Sequence, residues 1–532
     1  MNANEAPENV RLIGGEMLLW SDMSNMGGIA DWRGAALELI RRLVPASGRV
    51  LLVGPHPQGL VDEVVARASS AAVLLRSYPD ACALGERHPG LAVFCGRLEV
   101  FAAEEPYDLV LALDGLLRTH SAEAPAAAWS ESLGALAGLM APGGRLVLGV
   151  RNDLGVDRFL EARPADREGS DDQWAPHGFD PTYPSGPAAL DRGLESAGLS
   201  VGRCYAAYPV RQAPRALLSR EALAADLPDA LTFPLSARGG DRMLVADPLR
   251  LTRLVFRHRL GEELAPLWLA VATRPPHDDG VELPLGLVEE GTALYELTHD
   301  GARRLPDGEE RQIPAGRVVE EILVEACARE DVKTVRELLK ELAEWLEAGG
   351  DVSAATDSLV YDGERFAAIN PLAGPSSPPV PRVVLCRILW RFAVRLLAAG
   401  HHHPWPWPLE ADQLTLTLCG MADRPCDQGD LDCARKLDAE LGCAGEEHVP
   451  TYRDLLGARD RLADQLTAAL ARISRLETKL SYRERELVRA KAKLRRSQRK
   501  ASAYRKTLGY RLSRRLARPR KVARRVIRLL SG

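Results

Sequence analysis

Short apolar runs alternate with helix-compatible stretches from residue 48 to residue 150. Val50–Val53, Ala72–Leu75, Leu91–Phe94, Tyr107–Leu113 and Gly144–Val150 predict five buried strands, the last following the turn Ala141-Pro142-Gly143-Gly144. Between them Leu60–Ala68, Ala81–Arg87 and Ala126–Met140 are rich in Ala and Leu and predict helices. Continuous apolar runs suit strands covered on both faces, and their alternation with helices predicts a doubly wound parallel α/β sheet. Pro164 to Pro187, rich in Asp, Gly and Pro, reads as an irregular insertion. A helix over Ala188–Gly198 and a strand over Ser200–Tyr208 then complete a first domain of residues 1–238.

The pattern changes after Gly239. Asp241–Ala246 and Leu267–Ala272 predict strands, and Val318–Arg329, Thr334–Ala348 and Val383–Ala399 predict helices. A hairpin is expected over Ser358–Asn370, around Asp362-Gly363. This mixture predicts a second, α+β domain over 239–449, ending after a rigid His401-His402-His403-Pro404-Trp405-Pro406-Trp407-Pro408 connector.

Beyond it, Leu466, Ile473, Leu480, Leu487 and Leu494 fall seven apart, with Leu462, Ala469 and Leu476 in the companion register. Such an a/d repeat with Glu, Lys and Arg between predicts a coiled coil over 450–500, weakened where Arg483 takes a core position, and hence a homo-oligomer. The other reading is a lone amphipathic helix. Residues 501–532 form a tail in which Leu508, Leu512 and Leu516 recur at i+4, followed by Val522, Val526, Ile527, Leu529 and Leu530, with Arg opposite. A basic amphipathic helix of this kind suits an anionic membrane surface. Nucleic acid has only the charge in its favour, since no groove-reading motif accompanies it.

Charge sharpens the contrast. The net charge of −4 conceals a segment 481–532 with 20 Lys/Arg and 2 Asp/Glu, while residues 1–480 hold 49 basic and 71 acidic residues. At 46% hydrophobic and 27% charged residues, the 532-residue chain has the balance of soluble globular domains. No apolar run reaches the ~18–20 residues of a membrane span, and the N-terminal stretch lacks the pattern of a secretory signal. A cytoplasmic protein is expected, peripheral at the inner membrane face through its tail. The nine cysteines show no zinc-ribbon or zinc-finger spacing, and neither they nor the His401–His403 run predicts a metal site.

Four stretches carry a family likeness: RVLLVGPHPQGL at 49–60, YDLVLAL at 107–113, LMAPGGRLVLGVRNDLG at 139–155 and CYAAYPVRQAPRALLS at 204–219. In this order, over about residues 30–220, the chain resembles class I S-adenosylmethionine-dependent methyltransferases, and among these the ones found in polysaccharide and O-antigen gene clusters. The resemblance implies a Rossmann-like domain with S-adenosyl-L-methionine across the C-terminal edges of the strands. Gly54, His56, Gly59, Arg76, Leu98, Asp114 and Gly115 are the positions it implies for the cofactor site. Several depart from the family pattern. His56 and Gln58 stand where glycines are expected, Arg76 where a carboxylate should take the ribose hydroxyls, and Arg97 where an Asp should precede Leu98. A guanidinium only donates hydrogen bonds, so it cannot replace that carboxylate. Methyl transfer needs mainly positioning, and an alcohol acceptor also wants a general base. His120 is the candidate by position, its other reading being a surface histidine opening a loop.

Residues 318–348 and the SLVYDGERFAAINPL stretch resemble the helical lobe of kinase-like domains found downstream of such methyltransferases. Ser353, Ser358 and Asn370 stand where that pattern has its catalytic Asp, its Asn and its metal-binding Asp, with Asp351 and Asp357 out of register, so the resemblance is to an inactive member. The domain order is also similar to that of bifunctional enzymes that terminate O-antigen chains. Two functions are thereby expected: a methyltransferase acting on a sugar or glycan in cell-surface polysaccharide biosynthesis, or an inactive methyltransferase-fold scaffold holding glycan-assembly enzymes at the membrane.

Overall fold

The computed structural model describes residues 6–23, 29–121, 125, 127–160, 180–225, 235, 248–276, 281–290, 293–299, 301–305, 310–311, 314–369, 379–398, 401–406, 409–441 and 452–515. The expected strand over Asp241–Ala246, Asn370 and most of the insertion after Pro164 lie outside these residues. The chain divides into two bodies, 1–455 and 456–532.

The five expected strands form, with small shifts of boundary, as β2 Arg49–Val53, β3 Ser70–Leu75, β4 Ala92–Gly96, β5 Tyr107–Ala112 and β6 Met140–Arg151. An additional strand, β1 Val10–Gly14, precedes them and runs parallel to β4 at the edge. The order β1-β4-β3-β2-β5-β6 is parallel throughout. From β2 the chain winds outward through β3 and β4, then crosses back to β5, so the switch point lies between β2 and β5.

Side-chain alternation explains the continuous apolar runs. Val50 and Leu52 of β2, with Leu109 and Leu111 of β5, face a core built with helices α1 Gly34–Leu43, α2 Gln58–Arg67 and α3 Tyr78–Arg87. Leu51 and Val53, with Val110 and Ala112, face the opposite core, built with α4 Trp129–Gly138 and α5 Pro187–Ser196. Both faces of each strand are covered, so neither can be polar.

The expected boundary at residue 238 does not separate two sheets. Strand β7 Ser200–Tyr208 is followed by β8 Ala216–Ser219, and β9 Leu267–Thr273 inserts antiparallel between β6 and β7. All seven residues of β9 are buried. A strand hydrogen-bonded on both sides closes the middle of the sheet, so residues 267–273 belong to the first fold. The sheet then continues through β8 into an antiparallel meander of β10 Gly286–Glu290, β11 Ala293–Thr298, β12 Gly301–Leu305 and β13 Glu310–Arg311, which the sequence pattern did not predict.

A small sheet of β14 Arg317–Val318, β15 Leu359–Tyr361 and β16 Phe366–Ala368 then leads into a helical part. The expected hairpin is β15–β16. Helices α6 Val319–Ala328, α7 Val332–Glu347, α8 Pro381–Ala398, α9 Ala411–Met421 and α10 Gln428–Glu440 share one core, on which Trp405 of the connector also packs. At its centre the fully buried Arg387 of α8 meets Asp438 of α10 at 2.9 Å and donates to the carbonyls of Val352, Ser353 and Ala354. Helix α11, Tyr452–Lys506, is 55 residues long. Leu466, Ile473, Leu480, Leu487 and Leu494 are each more than half exposed along it.

Candidate active site at the switch point

In an open parallel sheet, ligands bind beyond the C-terminal strand ends at the switch point. Here those ends are the turn after β2 and residues 113–120 after β5. Gly54 has φ of +87°, and a Cβ there would have no heavy atom within 4 Å, so the turn leaves space as well as requiring a residue free to adopt that angle. Gly59 lies in the first turn of α2 with similar room. Gly115 also has positive φ, +82°. At Gly149 of β6 a Cβ would lie 2.1 Å from the carbonyl oxygen of Leu113, so this close approach of β6 to the end of β5 depends on glycine.

His56, expected to intrude where a second glycine would stand, folds back instead. It is 5% exposed, and its Nδ1 donates to the carbonyl of Gly54 at 2.8 Å. Its Nε2 is buried with no partner among the described residues, and burial pushes its pKa down to about 4.

Arg76 is paired. Its Nε and Nη2 donate to both oxygens of Asp22, at 2.8 and 2.7 Å, and Nη1 donates to the carbonyl of His120 at 3.0 Å. Asp22 comes from an N-terminal segment stitched over the end of β3. The Met17 N–H donates to the Arg76 carbonyl, Ser77 Oγ donates to the Trp20 carbonyl, and Ser21 and the Asp22 N–H both bond Asp80 of α3. Asp114 accepts from Arg118 at 2.7 Å, and Arg118 also approaches Asp22 at 3.7 Å. An alternating Arg76–Asp22–Arg118–Asp114 chain thus closes the edge where the ribose carboxylate was expected. Neither Asp22 nor Arg118 was singled out from sequence, because their roles depend on contacts with distant segments.

Three further expected positions make contacts within the body of the fold. Leu98, placed near the adenine by resemblance, is 2% exposed and belongs to the core. Arg97 lies along Gly15, where a Cβ would come within 2.9 Å of its side chain, and its buried Nε has no partner among the described residues. His120 is buried rather than a surface histidine. It is 8% exposed, its Nδ1 meets the Glu99 carboxylate, and its Nε2 lies 3.3 Å from Ser132 Oγ. With both nitrogens engaged and its carbonyl held by Arg76, it ties the loop after β5 to α4.

Asn152, in the stretch that carries the family likeness after β6, is structural in its contacts. Its Nδ2 donates to the carbonyls of Glu263 and Ala265, and its Oδ1 accepts from the Leu154 N–H. In the helical part, Asp351 accepts from the backbone and hydroxyl of Ser353, Ser358 bonds the backbone of Ala355, and Asp357 pairs with Arg395. These contacts brace the loop from within.

No protein-family model matches this chain, and no curated protein matches it. Three solved structures illustrate what it is similar to. The N-methyltransferase NodS of Bradyrhizobium japonicum, in complex with S-adenosyl-L-homocysteine, is 13% identical over 45% of this chain and 85% of its own, with a TM-score of 0.26. An S-adenosylmethionine-dependent methyltransferase of Mesorhizobium loti is 12% identical over 45% and 97%, with a TM-score of 0.25. The 1,6-didemethyltoxoflavin-N1-methyltransferase of Burkholderia thailandensis is 15% identical over 44% and 72%, with a TM-score of 0.22. At these identities and scores the likeness adds nothing to the topology described above.

Proposed function

We propose that the first sheet and its helices form an S-adenosylmethionine-dependent methyltransferase acting on a sugar or glycan. The observation that carries this reading is the switch point between β2 and β5, where Gly54, left-handed and with open space at its Cβ position, follows β2 and the left-handed Gly115 follows β5. The sequence likeness supplies the glycan. The cofactor would bring an electrophilic methyl group, and this chain would hold and orient it.

The fit to that cofactor is divided. The turn at Gly54 leaves open space where a Cβ would stand. At the end of β3 stands Arg76, which only donates, and the Asp22 carboxylate it meets already accepts from it through both oxygens. That ion pair favours a second reading, the inactive scaffold that holds glycan-assembly enzymes at the membrane. In either reading α11 would join copies of the chain and the basic tail would meet anionic lipid, at the cytoplasmic face.

Calorimetric titration of the full chain with S-adenosylhomocysteine separates the two. Saturable binding, absent with ATP as a control, supports the methyltransferase. A folded chain that takes up no S-adenosylhomocysteine leaves the scaffold.

A further inference from the structure

Three cysteines far apart in sequence meet in the helical part. Cys386 is on α8, Cys419 on α9, and Cys426 in the turn between α9 and α10. Their Sγ atoms all lie within 4.8 Å of one another, and no other group of three possible ligands is found among the described residues. None of the three is in a disulfide. The expectation of no metal site rested on spacing along the chain, and spacing could not reveal ligands that helix packing brings together.

The arrangement has the features of a thiolate metal centre. Cys386 and Cys419 are fully buried on neighbouring helices, fixing two donors, while Cys426 is half-buried and gives an ion a route in. Tetrahedral zinc with Zn–S near 2.3 Å sets sulfurs about 3.8 Å apart, so the cluster needs to contract by about 1 Å at most. Asp430 in the first turn of α10 is already taken: it accepts from Arg382 Nη2 at 2.8 Å and from the Asp427 N–H at 3.0 Å. The fourth position is therefore left to water, the pattern of zinc sites that keep an exchangeable ligand. Three thiolates on a divalent ion leave one negative charge. Arg382, whose carbonyl lies 3.9 Å from Cys426 Sγ, pairs its guanidinium with Asp430 at the start of α10. Soft sulfur donors select thiophilic ions over magnesium or calcium.

We propose that Cys386, Cys419 and Cys426 form a three-thiolate site for zinc, with the fourth position open to water, pinning α8, α9 and the start of α10 together. This inference does not depend on the methyltransferase reading. Binding deprotonates the thiols, so protons are released as metal is taken up.

The test uses the full chain, reduced and handled without oxygen, loaded with zinc and desalted. About one zinc per chain should remain in the wild type and in Cys433→Ser, whose exposed thiol lies outside the cluster. Cys426→Ser and Cys419→Ser should retain little, and zinc should raise the melting temperature of the wild type and of Cys433→Ser but not of these two variants. Cobalt in place of zinc should give the wild type an intense sulfur-to-metal charge-transfer band. Should the variants misfold, that cobalt spectrum decides the matter by itself. Background zinc in a folded wild type, equal zinc in Cys426→Ser, or a cobalt complex without the sulfur band would each overturn the proposal.

Discussion

Arg76 grips Asp22 through two hydrogen bonds of 2.7 and 2.8 Å, across 54 residues of sequence, with side-chain exposures of only 13% and 4%. This pair fastens the N-terminal segment over the end of β3, at the place where a methyltransferase would hold the ribose. Removing one partner of a buried pair strands the other's charge and costs roughly 3–5 kcal/mol. Asp22→Asn and Arg76→Gln should each lower stability toward that range in denaturant titrations. The double variant should lose less than the sum. Strictly additive losses would mean that the pair does not anchor the segment.

His56 gives a pH dependence of defined sign. Folded, its pKa is lowered to about 4 by burial; unfolded, it returns to the ordinary value of about 6.5. Between these values the unfolded chain binds more protons, so stability is full above about pH 6.5 and falls as pH drops toward 4. The shift corresponds to a contribution on the order of 3 kcal/mol. His56→Asn should flatten this part of the stability profile between pH 7 and 4, measured by urea unfolding at each pH. An unchanged slope would assign the acid sensitivity to other groups.

Arg387 and Asp438 form the corresponding pair of the helical part, and Arg387 also holds three carbonyls of the loop 352–354. Arg387→Met should destabilise by at least about 3 kcal/mol, because Asp438 and these carbonyls lose a donor together. Asp438→Asn should cost more, since Arg387 and Arg391, which also donates to Asp438 at 3.1 Å, both lose their counter-ion. The reverse order in thermal unfolding would argue against this arrangement.

The apolar stripe of α11 is predicted to drive self-association. Ile473, 51% exposed in the single chain, lies mid-stripe between Leu466 and Leu480. Ile473→Asp should shift the sedimentation of the full chain toward monomer. Wild-type sedimentation by the variant would favour a lone amphipathic helix.

Deleting residues 501–532 removes 11 basic residues, together with Leu508 and Leu512, which are exposed in the structure. Each Lys or Arg near an anionic leaflet contributes about 1 kcal/mol, so the deletion should abolish binding to phosphatidylserine vesicles, and high salt should weaken binding by the intact chain. Equal binding to neutral vesicles would remove the electrostatic part of this proposal. The apolar residues from Leu516 onward lie outside the described residues.

Features that depend on neighbours along the chain can be read from the residues alone. The apolar runs of β2 to β6, covered on both faces, specify strands that must sit between helices. The Asp362-Gly363 turn marks its hairpin, and the seven-residue repeat from Leu462 to Leu494 specifies a long helix. Gly54 was legible through the family resemblance of the stretch 49–60, since a lone glycine after a strand otherwise marks only a tight turn. Which strand pairs with which, and which charges meet, is set when distant segments pack together. Leu267–Thr273 is an apolar run that could begin a new domain or finish the old one, and its pairing with β6 and β7 settled the matter. Asp22 is one acidic residue among many until the chain folds back upon Arg76, and His120 looks like a loop histidine until Glu99 and Ser132 close on its ring. The same holds for the three cysteines of the helical part. Secondary structure follows local periodicity, but a site is a set of side chains from distant segments, and its geometry exists only once packing brings those segments together.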